Sequence, residues 1–110
     1  MTPLQLNLNN MLTRIVKLTI NNPEINKFKI LFSEYKSAII GFEGCISVEL
    51  LQEDNQGSVF FTYSKWTDSK AIEEYRSSTL FKEIWSSVKP LFREKAQAWS
   101  LDQINHIQTP

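Results

Sequence analysis

Four aromatic residues in the second half of the chain have a spacing that could place them around a small ligand. Trp66 ends an apolar segment, and Tyr75, Phe81 and Trp85 follow in a segment with helical spacing. A phenol or an indole combines a large apolar ring with one hydrogen-bond donor, so these residues can stack on a ring and also contact an oxygen atom. The pattern predicts that the four side chains meet across one concave space, either as the lining of a pocket or as an ordinary core.

Cap and turn residues predict how this aromatic segment is divided. Thr67 and Asp68 offer side-chain oxygens that can cap a helix directly after the strand that Trp66 ends. The polar cluster at residues 77–79 is a poor helix interior and predicts a break into two helical pieces. Pro90 predicts the end of the second piece.

The remaining elements are predicted from apolar periodicity. Residues 11–20 and 45–53 are predicted strands, and residues 58–67 form a third that pairs with the second in an antiparallel hairpin. The Asn22-Pro23 pair predicts the start of a long helix, whose apolar stripe steps by three or four residues and is widened by Leu31 and Ala38. Residues 93–104 alternate as a last strand.

The order strand, helix, strand, strand, helix, strand predicts an α+β fold of one domain. With right-handed crossovers, this order gives a ferredoxin-like βαββαβ antiparallel sheet with both helices on one face. We expect this domain to span residues 11–104, after a flexible lead-in over residues 1–10 and before a tail at 105–110.

The face of this sheet that the helices leave open is predicted to bind a second copy of the chain. Neither parity of the third strand is polar, because Phe60 and Trp66 lie on one side and Val59, Phe61 and Tyr63 lie on the other. A second apolar face needs a cover, and a twofold dimer with its sheets packed together supplies one. The sequence therefore predicts a homodimer.

Composition argues against several other classes of partner. Lys plus Arg and Asp plus Glu both number 12, so no basic excess favours nucleic acid or an anionic membrane surface. The longest apolar runs are far shorter than the ~20 residues of a membrane span, and we expect a cytoplasmic protein. The single cysteine, Cys45, excludes an internal disulfide and is either a small buried strand residue or a reactive thiol.

The chain resembles the antibiotic biosynthesis monooxygenase family of dimeric α+β barrels. The resemblance covers about residues 11–104 and is carried by the order of elements, the hairpin after Gly44, Trp66 at a strand end, the Asp68-capped helix with Tyr75, and Ser78 with Phe81. It implies oxygenation of small phenols, quinols or polyketide aromatics without metal or flavin, in a pocket between the helices and the sheet. One branch of the family instead degrades haem.

The sequence departs from that family at positions that bear on the chemistry. Many members resemble one another in a glutamate near the tryptophan and in histidines on the next helix, whereas this chain has Ser64, Tyr75 and Leu80 there. The axial histidine of the haem-degrading branch falls on Trp85, and its asparagine falls near Val16. An indole cannot ligate iron, so no cofactor is expected.

The aromatic residues of this chain are the predicted site, with ordinary core packing as the alternative for each. The predicted catalytic residues are Trp66, Tyr75 and Trp85, and the predicted substrate-binding residues are Phe28, Phe32, Tyr35, Phe81 and Trp99. An aromatic wall would exclude water, and a phenol or indole would donate a hydrogen bond to the substrate oxygen. Arg14 and Lys65 could stabilise a phenolate or could be solvated or interface charges. His106 falls in the predicted tail.

Three functions remain open at this point. They are a cofactor-independent monooxygenase of a small aromatic or quinol, a non-catalytic homodimer that binds or senses a small aromatic ligand, and a structural dimer with a filled core. The volume of the interior separates the last from the others. A cavity of about 300 Å³ or more, lined by Trp66, Tyr75 and Trp85, would favour either ligand-binding function.

Overall fold

A single antiparallel sheet carries three helices on one face. The computed structural model describes residues 11–105, and the predicted lead-in and nearly all of the predicted tail lie outside them. The elements in chain order are β1 Leu12–Thr19, a 3-10 turn Asn22–Glu24, α1 Ile25–Ile40, β2 Cys45–Gln52, β3 Val59–Trp66, α2 Ser69–Arg76, α3 Thr79–Val88, a 3-10 turn Lys89–Leu91 and β4 Gln97–Asp102.

The strand order confirms the ferredoxin-like prediction. The sheet runs β2-β3-β1-β4, and every neighbouring pair is antiparallel. Arg14 on β1 lies opposite Ser64 on β3 and Ser100 on β4. Because strand side chains alternate, Arg14, Val16 and Leu18 share the face that the helices cover.

The helix caps form where the sequence predicts them. The Asp68 side chain accepts a hydrogen bond from the Ala71 amide at 2.8 Å and starts α2. The Ser78 hydroxyl accepts one from the Phe81 amide at 3.1 Å and starts α3, so the predicted break at residues 77–79 is real. Pro23 lies in the 3-10 turn that leads into α1. Ala38 is exposed, so the buried stripe of α1 is narrower than predicted.

The interior consists of two groups of buried side chains. One group joins Leu18, Ile20 and Phe60 of the sheet region to Phe28 of α1 and to the end of α3. The other joins Trp66 at the end of β3 to Ile39 of α1 and to α2, which contributes Ile72 and Tyr75. The two groups are not packed tightly against each other, and a cavity lies between them.

The last strand is shorter than predicted. Residues 93–104 alternate in the sequence, but β4 spans only Gln97–Asp102 and pairs only with β1. All six of its residues are exposed, and their pairing partners on β1 are Leu12 to Lys17. Before it, the chain is held by Leu91 in the core and by the Arg93 amide, which donates to the Thr19 carbonyl at 2.8 Å.

The opposite face of the sheet is apolar and is left uncovered by the helices. Phe61 and Tyr63 of β3 lie there, partly exposed, with Leu51 of β2 beside Phe61. Trp99 and Leu101 of β4 extend the same face and are 43% and 44% exposed.

Among residues 11–105, no helix is both long enough and apolar enough to cross a membrane.

Candidate functional site

A cavity of about 90 Å³ lies between the helices and the sheet and is partly open to solvent. Strands β1 and β3 form its floor, α1 and α3 form two of its walls, and Tyr75 of α2 closes one end. Its sixteen lining residues are Arg14, Val16, Leu18, Phe28, Phe32, Tyr35, Ile39, Val48, Thr62, Ser64, Trp66, Tyr75, Phe81, Ile84, Trp85 and Val88.

Seven of the eight site residues inferred from the sequence line this cavity. The exception is Trp99, which we expected to bind substrate. It lies opposite Ile15 on the uncovered face of the sheet and is 43% exposed, so the sheet itself separates it from the cavity. Side chains alternate along β4, and those at positions 98 and 100 lie on the face that the helices cover. The side chain of Trp99 therefore lies on the other face.

The aromatic residues form one continuous set of contacts along the cavity. The ring centroids are 5.0 Å apart between Trp66 and Tyr75, 5.2 Å between Tyr75 and Phe81, and 5.6 Å between Phe81 and Trp85. The last pair is stacked and the Tyr75–Phe81 pair is edge-to-face, both favourable arrangements for aromatic rings. The caps at Asp68 and Ser78 place these rings side by side, because they set where α2 and α3 begin.

The indole N–H of Trp66 is already bonded within the protein. Trp66 is 1% exposed, and its Nε1 donates to the Ser64 hydroxyl at 2.9 Å. Ser64 is also buried, and its hydroxyl donates to the Arg14 backbone carbonyl at 3.4 Å. The serine that stands in place of the family glutamate therefore accepts from Trp66, and the indole contributes an apolar wall.

Tyr75 is the buried phenol of the site. The residue is 7% exposed, and no buried side-chain oxygen among residues 11–105 lacks a hydrogen-bond partner, so the Tyr75 hydroxyl is either bonded or accessible at the cavity surface. Burial raises the pKa of Tyr75 to about 12, because the phenolate would lose its hydration, while the positive charge of Arg14 partly opposes this rise. At neutral pH Tyr75 is thus a neutral hydrogen-bond donor beside a cation.

Arg14 is the one charged residue in the lining. Burial lowers the pKa of the Arg14 guanidinium, with a further contribution from the positive charge of Arg76, although an arginine stays protonated in proteins. From the sequence alone, Arg14 and Lys65 could each stabilise a phenolate in the site or be a solvated or interface charge. The signal that separates them is parity: Arg14 alternates with Val16 and Leu18 of the floor, whereas Lys65 lies on the uncovered face with Tyr63.

Two other polar groups near the cavity are engaged in the fold. The Tyr35 hydroxyl and the Ser87 hydroxyl are hydrogen-bonded at 3.0 Å, which ties α1 to α3. The Cys45 thiol contacts the Ser47 carbonyl at 3.7 Å, and burial raises the pKa of Cys45. A raised pKa leaves less thiolate at neutral pH, so the arrangement favours a packed strand residue over a reactive thiol.

The cavity is smaller than the criterion set from the sequence. Its volume of about 90 Å³ is below the ~300 Å³ at which ligand pockets usually begin. The interior is nevertheless not filled, and the opening to solvent lets a ligand extend beyond the enclosed part. The size restricts the ligand to a small molecule, such as one with a single ring, and requires some side-chain movement on binding.

The lining does not fit a metal or a haem. Within residues 11–105, no three His, Cys, Asp or Glu side chains lie together as a metal ligand set. Trp85 stands where the haem-degrading branch has its axial histidine, and its indole offers no lone pair to iron.

The sequence is similar to a known protein family. The sequence pattern of the family described as antibiotic biosynthesis monooxygenase matches residues 11–85. No curated protein matches the chain.

Solved structures show the same fold at low sequence identity. A conserved protein from Methanosarcina mazei superposes with a TM-score of 0.83 at 16% identity, over 90% of this chain and 98% of the other. A candidate antibiotic biosynthesis monooxygenase from Nitrosomonas europaea gives 0.80 at 14% identity, over 87% and 92%. Another from Bordetella bronchiseptica gives 0.80 at 16%, over 87% and 99%.

Proposed function

Because this chain belongs to the antibiotic biosynthesis monooxygenase family, we propose that it oxygenates a small phenol or quinol in the cavity without metal or flavin. The observation that carries the proposal is the cavity itself, an aromatic space whose lining includes the Tyr75 phenol and one cation, Arg14. In such a reaction the substrate supplies the electrons. For a simple phenol, one atom of O2 becomes the second carbonyl oxygen of a quinone, and the other leaves as water with two hydrogens of the substrate.

The lining residues divide into walls and donors. Trp66, Phe81 and Trp85 hold the ring of the substrate and keep water out, which strengthens electrostatic interactions inside the cavity. The Tyr75 hydroxyl donates a hydrogen bond to the substrate oxygen, where negative charge develops when the phenol of the substrate ionises, before it gives an electron to O2. The Trp66 N–H has no part in that contact, since it is bonded to Ser64.

A second function has one specific observation in its favour. Among the sixteen lining residues there is no Asp, Glu, His or Lys, so the described cavity contains no general base that works near neutral pH. A protein that only binds or senses a small aromatic ligand needs no base. This non-catalytic homodimer is therefore the alternative to the monooxygenase.

The uncovered sheet face supports a homodimer in either case. Phe61, Tyr63 and Trp99 lie on one continuous face of β3, β1 and β4 and are partly exposed in the single chain. Apolar faces of this kind on small domains are usually interaction surfaces. A second copy packed sheet to sheet would remove them from water.

Oxygen consumption tests the proposed activity. Purified protein without added cofactor should consume O2 with a panel of single-ring phenols and hydroquinones, above the rate of heat-denatured protein. Tyr75→Phe should lower kcat/KM about 100-fold, because it removes the donor to the developing negative charge. Tyr63→Phe is the matched control on the opposite sheet face and should stay within about twofold.

The outcomes separate the two functions. Oxygen uptake that falls in Tyr75→Phe but not in Tyr63→Phe supports the monooxygenase. Ligand binding without oxygen uptake supports the binding protein instead. If no member of the panel binds by calorimetry, both functions are wrong and the cavity is a packing defect of the core.

A further inference from the structure

We propose that the cavity selects an aromatic molecule that carries an anionic oxygen, and that Arg14 is the residue that binds this oxygen. The proposal rests on the proposed function insofar as the cavity is the ligand site. It goes further by naming the charge of the ligand and the residue that recognises it. A phenolate and a carboxylate on a ring share this chemistry.

The position of Arg14 on the cavity floor is the first observation. Arg14 lies on β1 between strands β3 and β4, on the same face as Val16, and it is partly buried. All its neighbours in the lining are apolar or neutral. Among residues 11–105 no buried side-chain nitrogen lacks a hydrogen-bond partner, so the Arg14 guanidinium is not left unsatisfied away from water. A ligand oxygen would replace the water that its five N–H donors reach through the opening of the cavity.

The absence of an ion pair between Arg14 and any Asp or Glu of residues 11–105 is the second observation. Within residues 11–105, the one ion pair with N···O of 4.0 Å or less joins Lys70 to Glu74 on α2. The sequence outside that range contains no Asp or Glu at all. After burial, the largest influence on the pKa of Arg14 is the positive charge of Arg76, which lowers it. The counter-charge for Arg14 is therefore left for a ligand to supply.

The environment makes an anion the best-fitting ligand. In a partly dehydrated apolar space, a charge-assisted hydrogen bond from a guanidinium to an oxyanion is stronger than a neutral one and can be bidentate. Tyr75 lines the same cavity as Arg14 and adds a neutral donor to it. An anion also accounts for the lack of a base in the lining, because a substrate that enters already deprotonated needs none.

Benzoate and benzamide are a matched pair of probes for this proposal. They have nearly the same shape and differ by one negative charge, and each has the single ring to which the size of the cavity restricts the ligand. In wild-type protein, calorimetry should give benzoate an affinity at least about tenfold above that of benzamide, the usual worth of a charged hydrogen bond. 4-Nitrophenol is a second probe, because its neutral and anionic forms can be measured below and above its own pKa. The affinity of its anion relative to that of benzoate distinguishes a phenolate preference from a carboxylate preference.

Three variants identify the responsible residue. Arg14→Gln should lose about 10- to 100-fold in benzoate affinity and leave benzamide nearly unchanged. Arg14→Lys keeps the charge and should retain part of the preference. Arg76→Gln removes an exposed charge outside the lining and should change benzoate affinity by less than about threefold.

Each result bears on the proposal. A preference for benzoate that disappears in Arg14→Gln supports it. Equal binding of benzoate and benzamide by the wild type overturns it while leaving the proposed function in place, and this comparison needs no variant to fold. A benzoate preference that survives in Arg14→Gln assigns the anion to another group and overturns the role of Arg14. If neither probe nor any phenol binds, the proposed function fails and this inference fails with it.

Discussion

At the scale of single residues, Tyr75 and Arg14 are both removed from water, yet Tyr75 is neutral at neutral pH and Arg14 is charged. Removal from water disfavours the charged form of both, so the pKa of the phenol rises and that of the guanidinium falls. The phenol responds by staying neutral, whereas the guanidinium stays charged at neutral pH. The pair therefore presents one neutral and one cationic donor to the same space.

The raised pKa of Tyr75 predicts a loss of stability at high pH. The folded protein keeps the phenol proton up to a pKa of about 12, whereas the unfolded chain releases it near the ordinary value of 10.0. Stability is therefore complete below about pH 10 and falls between about pH 10 and about pH 12. By about pH 11 the free energy of unfolding should be lower by about 1.4 kcal/mol because of this group alone.

Urea unfolding of wild type and Tyr75→Phe at about pH 8 and about pH 11 measures that loss. The wild type should lose about 1.4 kcal/mol more than Tyr75→Phe, because phenylalanine has no proton to release. Tyr63→Phe, on the uncovered face of β3, is the control for the loss of a tyrosine hydroxyl elsewhere in the protein. An identical change with pH in wild type and Tyr75→Phe would show that Tyr75 titrates normally.

The site shows how far sequence reasoning reaches at this scale. Spacing correctly brought Trp66, Tyr75, Phe81 and Trp85 together, since caps and helical period determine which side of α2 and α3 they occupy. It did not show that the Trp66 N–H is bonded to Ser64, because that bond depends on rotamers. Trp99 was misplaced because a strand pattern does not say which parity faces the helices until the register is known.

At the scale of elements, the junction between β2 and α2 positions Tyr75. Gly44 precedes β2 with φ of 92°, and its carbonyl accepts a hydrogen bond from the Thr67 amide at 2.9 Å. A Cβ at Gly44 would overlap the Cβ of Ala71 in the first turn of α2. The backbone at position 44 thus lies so close to α2 that only glycine fits. This close approach holds α2 against the end of the sheet.

Gly44→Ala should therefore destabilise the fold by at least about 2 kcal/mol. A left-handed conformation costs alanine about 1 to 2 kcal/mol, and the overlap with Ala71 adds to that cost. Gly41→Ala is the matched control, because Gly41 has φ of -80° at the end of α1 and its change should stay within about 1 kcal/mol. Urea unfolding measures both variants, and equal stabilities would show that α2 shifts freely.

The elements themselves were largely predictable, and the exception has a physical cause. Every helix and strand has a local signal, such as Pro23 before α1 or the Asp54–Gly57 loop, in which Asn55 and Gln56 take φ of 60° and 58°. The end strand has only alternation, and alternation does not tell a paired residue from an extended unpaired one. Residues 93–96 are therefore extended in pattern but outside β4.

At the scale of the whole molecule, the two faces of the sheet have different roles. The face toward the helices contains the cavity and its one cation, and the other face carries partly exposed apolar side chains from all four strands. Lys17 of the central strand β1 and Leu51 of β2 flank Phe61 on that second face, and Glu49 lies opposite Tyr63, so charged side chains lie among the apolar ones. Protein–protein interfaces between separately folded partners also mix apolar and polar groups and are about as apolar as the rest of a protein surface.

If that face is the homodimer interface, Phe61→Glu should convert the protein to monomers or aggregates. The glutamate would place an unpaired charge in a surface that loses its water on assembly, which costs far more than the dimer gains from one side chain. Size-exclusion chromatography with light scattering measures the mass of the wild type and the variant. The wild type should give twice the mass of the chain, 12.8 kDa.

Ile30→Glu provides the control for a new charge at an exposed apolar position. Ile30 is on α1, is 60% exposed and lies away from the sheet, so its replacement should leave the dimer intact. A wild type that elutes as a monomer, or a Phe61→Glu variant that stays a soluble dimer, would show that the uncovered face does not join two copies. Loss of the dimer in both variants would instead indicate that α1 contributes to assembly, and the sheet face would lose its special role.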